Sequence, residues 1–279
     1  MPSTETISVI IPAHNEANYL PGCLDSLLAQ DDTAGPIQIV VSANNCTDAT
    51  VTVARARHAA CVARGWQLDI IDREEGGKPG ALNAGDAIAT GAFRLYLDAD
   101  VICDGALIGA LRAALATDLP VYATGHLRLA PARTWISKRY GRFWMRLPFV
   151  KQGAPGAGLY AVNAAGRARW GAFPRVISDD GFVRLHFGPH ERVEVAAGYK
   201  WPVVEGFYAL VQVRRRQNQG MAELFESFPD LAKNVSSTWP SPVTLTQLAL
   251  RDPVGFLVYA FVAIGVRSGS AGSEWIRGR

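Results

Sequence analysis

A chain of 279 residues, 49% hydrophobic and 19% charged, is long enough for one large α/β domain, alone or with a tail, and too apolar to be disordered. A net charge of +3 gives no footing for nucleic acid, yet ten cations lie between Leu119 and Ser178 with no acid among them, a block of one sign that attracts anions. Four scattered cysteines (Cys23, Cys46, Cys61 and Cys103) lack metal-site spacing and read as free thiols of a reducing, cytoplasmic compartment, and the polar stretch Met1 to Thr6 has no apolar signal core.

In chain order, Ile7 to Ile11 is an apolar, β-branched run ended by Pro12, which predicts a buried strand. Asn15 and Glu16 open a helical stretch with Leu20, Leu24, Leu27 and Leu28 at helical spacing. Ile37 to Val41 is a second strand, followed by the polar loop Asn44 to Asp48 and a helix over Thr50 to Arg64. Leu68 to Asp72 is a third strand. A loop with Gly76, Gly77, Pro79 and Gly80 leads to a helix over Ala81 to Thr90, and a fourth strand, Phe93 to Leu97, stops at Asp98. Strands alternating with helices predict a mostly parallel, Rossmann-like α/β sheet flanked by helices. Ligands on such sheets bind beyond the carboxyl ends of the strands, where His14-Asn15-Glu16, Asn44-Asn45 and Asp98-Asp100 fall. Beyond Gly220 the chain reads as helices separated by proline turns. Pro253 to Val266, fourteen uncharged residues, is shorter than the ~20 a membrane-spanning helix needs and reads as a buried helix.

Asp98-Ala99-Asp100 puts two carboxylates at a strand end, where both can reach one hard cation, Mg²⁺ or Mn²⁺, of the kind that neutralises charge on a departing diphosphate. D-x-D in isolation is equally a turn with two solvated acids. Asn15 and Glu16 offer polar edges to a base or ribose, although Asn15 also suits a helix cap. Lys78, between glycines, fails the Walker pattern but can meet a phosphate as a point charge.

Taken together, Val9-Ile10-Ile11-Pro12-Ala13-His14-Asn15-Glu16, Ser42 to Asp48, Gly77-Lys78-Pro79-Gly80-Ala81-Leu82-Asn83, Asp98-Ala99-Asp100 and the later Ile177 to Leu185 resemble the family 2 glycosyltransferases of the GT-A fold. The resemblance covers roughly residues 7 to 220; with the helical pattern beyond Gly220 it predicts a GT-A domain, 1–220, and a helical C-terminal extension, 221–279, able to associate with a membrane through its apolar segment. It implies an inverting transfer from a nucleoside-diphosphate sugar to an acceptor hydroxyl of a glycan or lipid-linked acceptor of the cell envelope. It assigns Pro12, Ala13, Asn15, Glu16, Asn44, Lys78, Asp98, Ala99 and Arg216 to the donor, and Asp98 and Asp100 to the metal. Asp180 is the implied catalytic base, with Asp179 the neighbour able to raise its pKa or take its place. Gly156 and Gly158 fall by the implied acceptor site, and His186 is a candidate third metal ligand. The chain departs from the family at Asn44, where aspartate is common, and in lacking the Trp of the processive Q-x-x-R-W pattern near Arg214 to Gly220. Asp179 and Asp180 also suit a plain helix N-terminus.

Arg133 to Phe149 is basic, aromatic and amphipathic, with Ile136, Tyr140, Phe143 and Leu147 on one stripe and Lys138, Arg142 and Arg146 roughly opposite. Such a helix lies on an anionic membrane surface, placing the protein at the inner face of the cell membrane, or packs its stripe on a core. Two other functions stay open: a nucleotidyltransferase that makes the nucleotide sugar, and a catalytically silent nucleotide-sugar-binding module. The first normally opens with a glycine-rich, Arg-containing loop, which Pro12-Ala13-His14-Asn15 does not offer.

Overall fold

Alternating strands and helices build the first half of the chain as predicted. The computed structural model describes residues 6–235 and 240–268, so residues 236–239 and 269–279 of the expected extension lie outside the described residues. The elements are β1 (Ile7–Ala13), α1 (Leu20–Leu28), β2 (Ile37–Asn44), α2 (Thr50–Arg55), α3 (His58–Ala63), β3 (Gln67–Arg73), α4 (Lys78–Ile88), β4 (Phe93–Leu97), β5 (Ile102–Cys103), α5 (Leu107–Leu115) and β6 (Tyr122–Leu129). They continue with α6 (Trp135–Trp144), α7 (Pro148–Gln152), β7 (Leu159–Val162), α8 (Ala164–Arg167), α9 (Asp179–Arg184), β8 (Arg192–Trp201), α10 (Phe207–Ser227), α11 (Pro242–Arg251) and α12 (Pro253–Arg267).

The chain divides into two compact units. Of the described residues, one takes in those up to Arg128, then Gly156–Arg175 and His186–Trp201; the other holds Leu129–Pro155, Val176–Leu185 and those from Pro202 on. The first unit carries an eight-stranded sheet in the order β3-β2-β1-β4-β7-β6-β8-β5. β3, β2, β1 and β4 run parallel, which brings their carboxyl ends to one edge. From there the sheet turns mixed, because β7 lies antiparallel to β4 and to β6, and β5 antiparallel to β8. Every residue of β2 is buried, as a strand covered on both faces requires. α4 covers this sheet through Ala81, Leu82 and Gly85. Gly85 admits the close approach, since a Cβ there would lie 2.5 Å from Ile10 Cγ2.

In the second unit α6 and α12 pack antiparallel. Tyr140 stacks on Tyr259 at 5.6 Å, Phe143 meets Phe256 and Tyr259, and Arg146 pairs with Asp252 at 3.0 Å. Tyr140, Phe143 and Leu147 of the apolar stripe of Arg133 to Phe149 are therefore buried by protein, which is the second of the two readings left open for this helix, packing on a core. Pro253 to Val266, expected as a buried helix, is buried on one side only.

Three boundaries differ from those the sequence predicts. The first helix begins at Leu20, not Asn15, because Asn15 sits at φ 53°, outside helical space, and its side chain bonds to a neighbouring loop. Thr50 to Arg64 forms two helices. The backbone tightens at Arg57, whose N–H bonds to the Ala54 carbonyl while its guanidinium forks onto Asp25 of α1. Lys78 and Pro79 open α4 rather than sit in a loop, with Pro79 in the first turn, where a missing N–H costs nothing. α10 runs without a break through residue 220.

Candidate active site

The carboxyl ends of the parallel strands are tied together by side chains that the loops themselves supply. Asn44, the last residue of β2, is buried. Its Nδ2 donates to the Ala13 carbonyl at the end of β1 (2.9 Å), and its Oδ1 accepts from Gly77 N–H (3.1 Å) ahead of α4. The Asn45 N–H reaches the Arg73 carbonyl at the end of β3. Three strand ends are thus fixed within two residues of chain. Asn15 and Asn45 both adopt left-handed backbone, at φ 53° and 48°, a conformation asparagine tolerates better than other non-glycine residues.

Asn15 Oδ1 accepts from the N–H groups of Thr47 (2.7 Å) and Asp48 (3.3 Å), so it clamps two loops instead of capping α1. Asp48 holds Thr50, whose hydroxyl in turn accepts from Glu16 N–H at 2.7 Å. Glu16 is buried, and its carbonyl accepts from the Tyr19 and Leu20 N–H groups that start α1. His14 Nδ1 lies 2.7 Å from the Asn44 carbonyl; a carbonyl only accepts, so Nδ1 carries the proton. Cys46 Sγ sits among these groups, 3.4 Å from Asn15 N and 3.5 Å from the Ala13 carbonyl. The sequence assigned no individual role to His14, Cys46, Asp48 or Thr50. Their signal was the density of Asn, Asp and Thr just past two strands, the composition of side-chain-bonded turns.

Asp98 and Asp100 follow β4 and are both half-buried, with Ala99 buried between them. Lys78, from the first turn of α4, places Nζ 2.8 Å from Asp98 Oδ1. Asp98 N–H is held by the Gly158 carbonyl at 2.8 Å. Beneath this turn lies the fully buried Cys23, whose thiol is 3.7 Å from the Asp98 carbonyl. Burial, then the negative fields of Cys103, Asp100, Asp98 and Glu16, push that thiol well above its ordinary pKa. Among the described residues no three of His, Cys, Asp and Glu are grouped to hold a metal ion. His186 packs its ring against Trp170 at 5.7 Å and joins no such group. Two hard oxygen donors with open positions suit Mg²⁺ or Mn²⁺, which complete their shells with phosphate and water.

Gly156 and Gly158 both have left-handed φ, 64° and 72°, and their missing Cβ atoms leave room for Tyr122 Oη and the Trp201 ring. The fold alone therefore accounts for glycine at both positions. Pro12 and the buried Ala13 close β1.

Asp179, Asp180 and Arg216 belong to the second unit. Asp179 and Asp180 open α9 after Ser178, in the turn where the helix dipole favours negative charge. Asp179 is buried. Asp180 is half-buried, and its Oδ1 accepts from Ser178 Oγ (3.0 Å) and Gly181 N–H (2.7 Å). Gly220 of α10 lets Ile177 and Ser178 approach, and Glu223 accepts from Ile177 N–H at 3.2 Å. Of the run Arg214 to Arg216, Arg215 is spent on structure, donating to the Gly265 and Val266 carbonyls of α12. Arg216 is half-buried on α10.

Comparison with known proteins follows the same lines. A dolichyl-phosphate β-glucosyltransferase of Drosophila melanogaster is 39% identical over 108 residues, 36% of this chain and 32% of that protein. A PGL/p-HBAD biosynthesis glycosyltransferase of Mycobacterium tuberculosis is 37% identical over 93 residues, 33% of this chain and 34% of that protein. The chain thus spans about a third of the length of these curated relatives. A mannosyltransferase of Pyrobaculum calidifontis, solved with GDP-Man and Mn²⁺, superposes with a TM-score of 0.58 at 21% identity, covering 97% of this chain and 78% of that one. Glucosyl-3-phosphoglycerate synthase of Mycobacterium tuberculosis, solved with Mn²⁺, UDP and phosphoglyceric acid, gives 0.52 at 19% identity, covering 80% and 78%. These two likenesses establish the GT-A fold. The model of the family named Glycosyl transferase family 2 matches residues 8–169, more than half of the chain and all of the parallel strand ends described above, and the chain belongs to that family.

Proposed function

We propose that the chain is an inverting glycosyltransferase that moves a sugar from a nucleoside-diphosphate donor to an acceptor hydroxyl. The observation that carries the reading is the Lys78–Asp98 pair at 2.8 Å on the shared edge of the parallel strands. It puts a cation and the first carboxylate of Asp98-Ala99-Asp100 at one point, where a diphosphate and its metal need them. Asp98 and Asp100 would hold a divalent cation, Mg²⁺ or Mn²⁺, which would neutralise charge on the departing diphosphate. Lys78 meets a phosphate oxygen as a point charge, and Arg216 supplies a second. Pro12, Ala13, Asn15, Glu16 and Asn44 shape the rim that receives the nucleoside, with Ala99 between the two metal ligands.

Asp180 is the base. With Oδ1 held by Ser178 and Gly181, Oδ2 takes the acceptor's proton as its oxygen attacks the anomeric carbon. Asp179, buried beside it, serves as a positioning residue. The backbone at Gly156 and Gly158 borders the acceptor. The acceptor is lipid-linked or part of a cell-envelope glycan, and the enzyme works from the inner face of the membrane. The name of the Drosophila relative, a transferase to dolichyl phosphate, supports a lipid acceptor.

The test is a turnover screen of UDP-, GDP- and dTDP-sugars with Mn²⁺ or Mg²⁺. Chelation abolishes turnover, and Asp100→Asn lowers it by about 10²-fold or more. Asp180→Asn loses about 10²–10⁴-fold in transfer while binding donor as the parent does. Transfer at the parent rate by Asp180→Asn removes Asp180 as the base, and a product that keeps the donor's anomeric configuration removes the inverting mechanism.

A further inference from the structure

The two faces of α12 are both apolar. Gly255 and Val262 are buried, Phe256 and Tyr259 pack on Phe143 and Tyr140 of α6, and Gly265 lies against Phe207 and Val211 of α10. The opposite face carries Val254, Leu257, Phe261 and Ile264, continued from α11 by Leu250, all between 41 and 78% exposed. Their spacing of four, three, four and three residues makes one continuous stripe. A surface helix of a soluble protein normally turns its polar face outward; here the outward face is an apolar strip rimmed by charge.

The rim is predominantly basic, Glu205 at the start of α6 being its acid. Arg251 and Arg267 are exposed at the two ends of the stripe. On α6, packed antiparallel against α12, the exposed positions are Trp135, Lys138 and Arg142. From Leu231 to Ser268 the sequence has a single acid, Asp252, which is buried against Arg146 and Gly255 N–H. α12 has 15 residues, about 22 Å of helix, against the ~30 Å of a bilayer core, and no helix among the described residues is long and apolar enough to cross a membrane.

We infer that the outer face of α11 and α12 docks flat on an anionic lipid surface, with Leu250, Val254, Leu257, Phe261 and Ile264 in the acyl–headgroup boundary and Arg251, Arg267, Lys138 and Arg142 among the headgroups. The inference rests on the proposed membrane-proximal acceptor and names the surface that would serve it. Charge selects this occupant over a second copy of the chain, because pairing two such faces would bring their arginines together. Apolar residues beside basic ones, with an exposed tryptophan, fit an interface where lipid tails meet phosphates.

The test uses the full chain and sedimentable vesicles of phosphatidylcholine alone or mixed with phosphatidylglycerol, at low and high salt. The parent sediments with the mixed vesicles and only weakly with the neutral ones. Leu257→Ser/Phe261→Ser/Ile264→Ser lowers vesicle affinity about tenfold or more. Lys138→Gln/Arg142→Gln/Arg251→Gln/Arg267→Gln loses the part of binding that salt removes from the parent. Donor turnover without vesicles, unchanged in both variants, reports their folding. A parent that stays in the supernatant with both vesicle types at low salt overturns the inference, as does a serine variant that binds like the parent. A parent dimer that the serine variant turns into monomer, with no vesicle binding, gives the face to a second copy and also overturns it. Donor turnover without vesicle binding removes the docking surface alone; vesicle binding without donor turnover removes the transferase reading alone.

Discussion

Asn44 has to donate to one loop and accept from another with a single planar group. Its amide N–H goes to the Ala13 carbonyl and its oxygen to the Gly77 N–H, inside the protein. An aspartate, common here in the family that the sequence resembles, keeps the second bond but sets a carboxylate against a carbonyl. We predict that Asn44→Asp lowers stability by about 1–3 kcal/mol at neutral pH. The deficit shrinks in acid, where the protonated carboxyl regains a donor. Denaturant titrations of parent and variant at both pH values measure it, and an equal loss at both refutes the donor argument. The place of Asn15, Glu16, Asp98 and Asp100 just past strands was legible in the sequence because each follows an apolar run, and Lys78 stood out between glycines. Their partners were not. The Lys78–Asp98 pair joins positions 20 residues apart through a helix that starts three residues earlier than its apolar pattern suggests.

Elements were legible where periodicity was strong. The four parallel strands are short β-branched runs between turns, and their alternation with helices fixes both the direction and the edge where ligands gather. The mixed half of the sheet was not legible, since β5 has only two residues and β6 passes through the basic block. The α6 segment shows why amphipathicity alone misleads. Its wheel gives an apolar side and a basic side, yet a wheel carries no record of what covers the apolar one. Tyr259 and Phe256, more than a hundred residues further on, provide that cover. The stripe that stays open belongs to the covering helix, whose uniform apolarity hides the direction it faces.

At the scale of the whole molecule, a paired carboxylate contributes to acid stability. Glu191, ahead of β8, is held by Arg169, which also donates to the His186 carbonyl. The hydrogen bond from Arg169, outweighing burial and helped by the Gly188 N–H, lowers its carboxyl from 4.5 to about 2. A folded pKa below the unfolded one contributes stability that is fully present above the unfolded value and is lost as pH falls toward the folded one. The melting temperature of the parent therefore falls between about pH 4.5 and 2 in part through this group, and Glu191→Gln flattens that part of the curve. Parallel curves for parent and variant across that window would remove Glu191 from the acid response.

α12 is fastened at both ends. Asp252 caps its start and pairs with Arg146, and Arg215 takes the carbonyls of Gly265 and Val266 at its finish. We predict that a helix so tethered does not fray alone and opens together with α6 and α10 in one cooperative event. Its amides should exchange deuterium at the pace of α6, and Arg215→Met should release the last turn first. If the amides of α12 exchange well ahead of α6 in the parent, the helix opens alone and its two fastenings do not couple it to its neighbours.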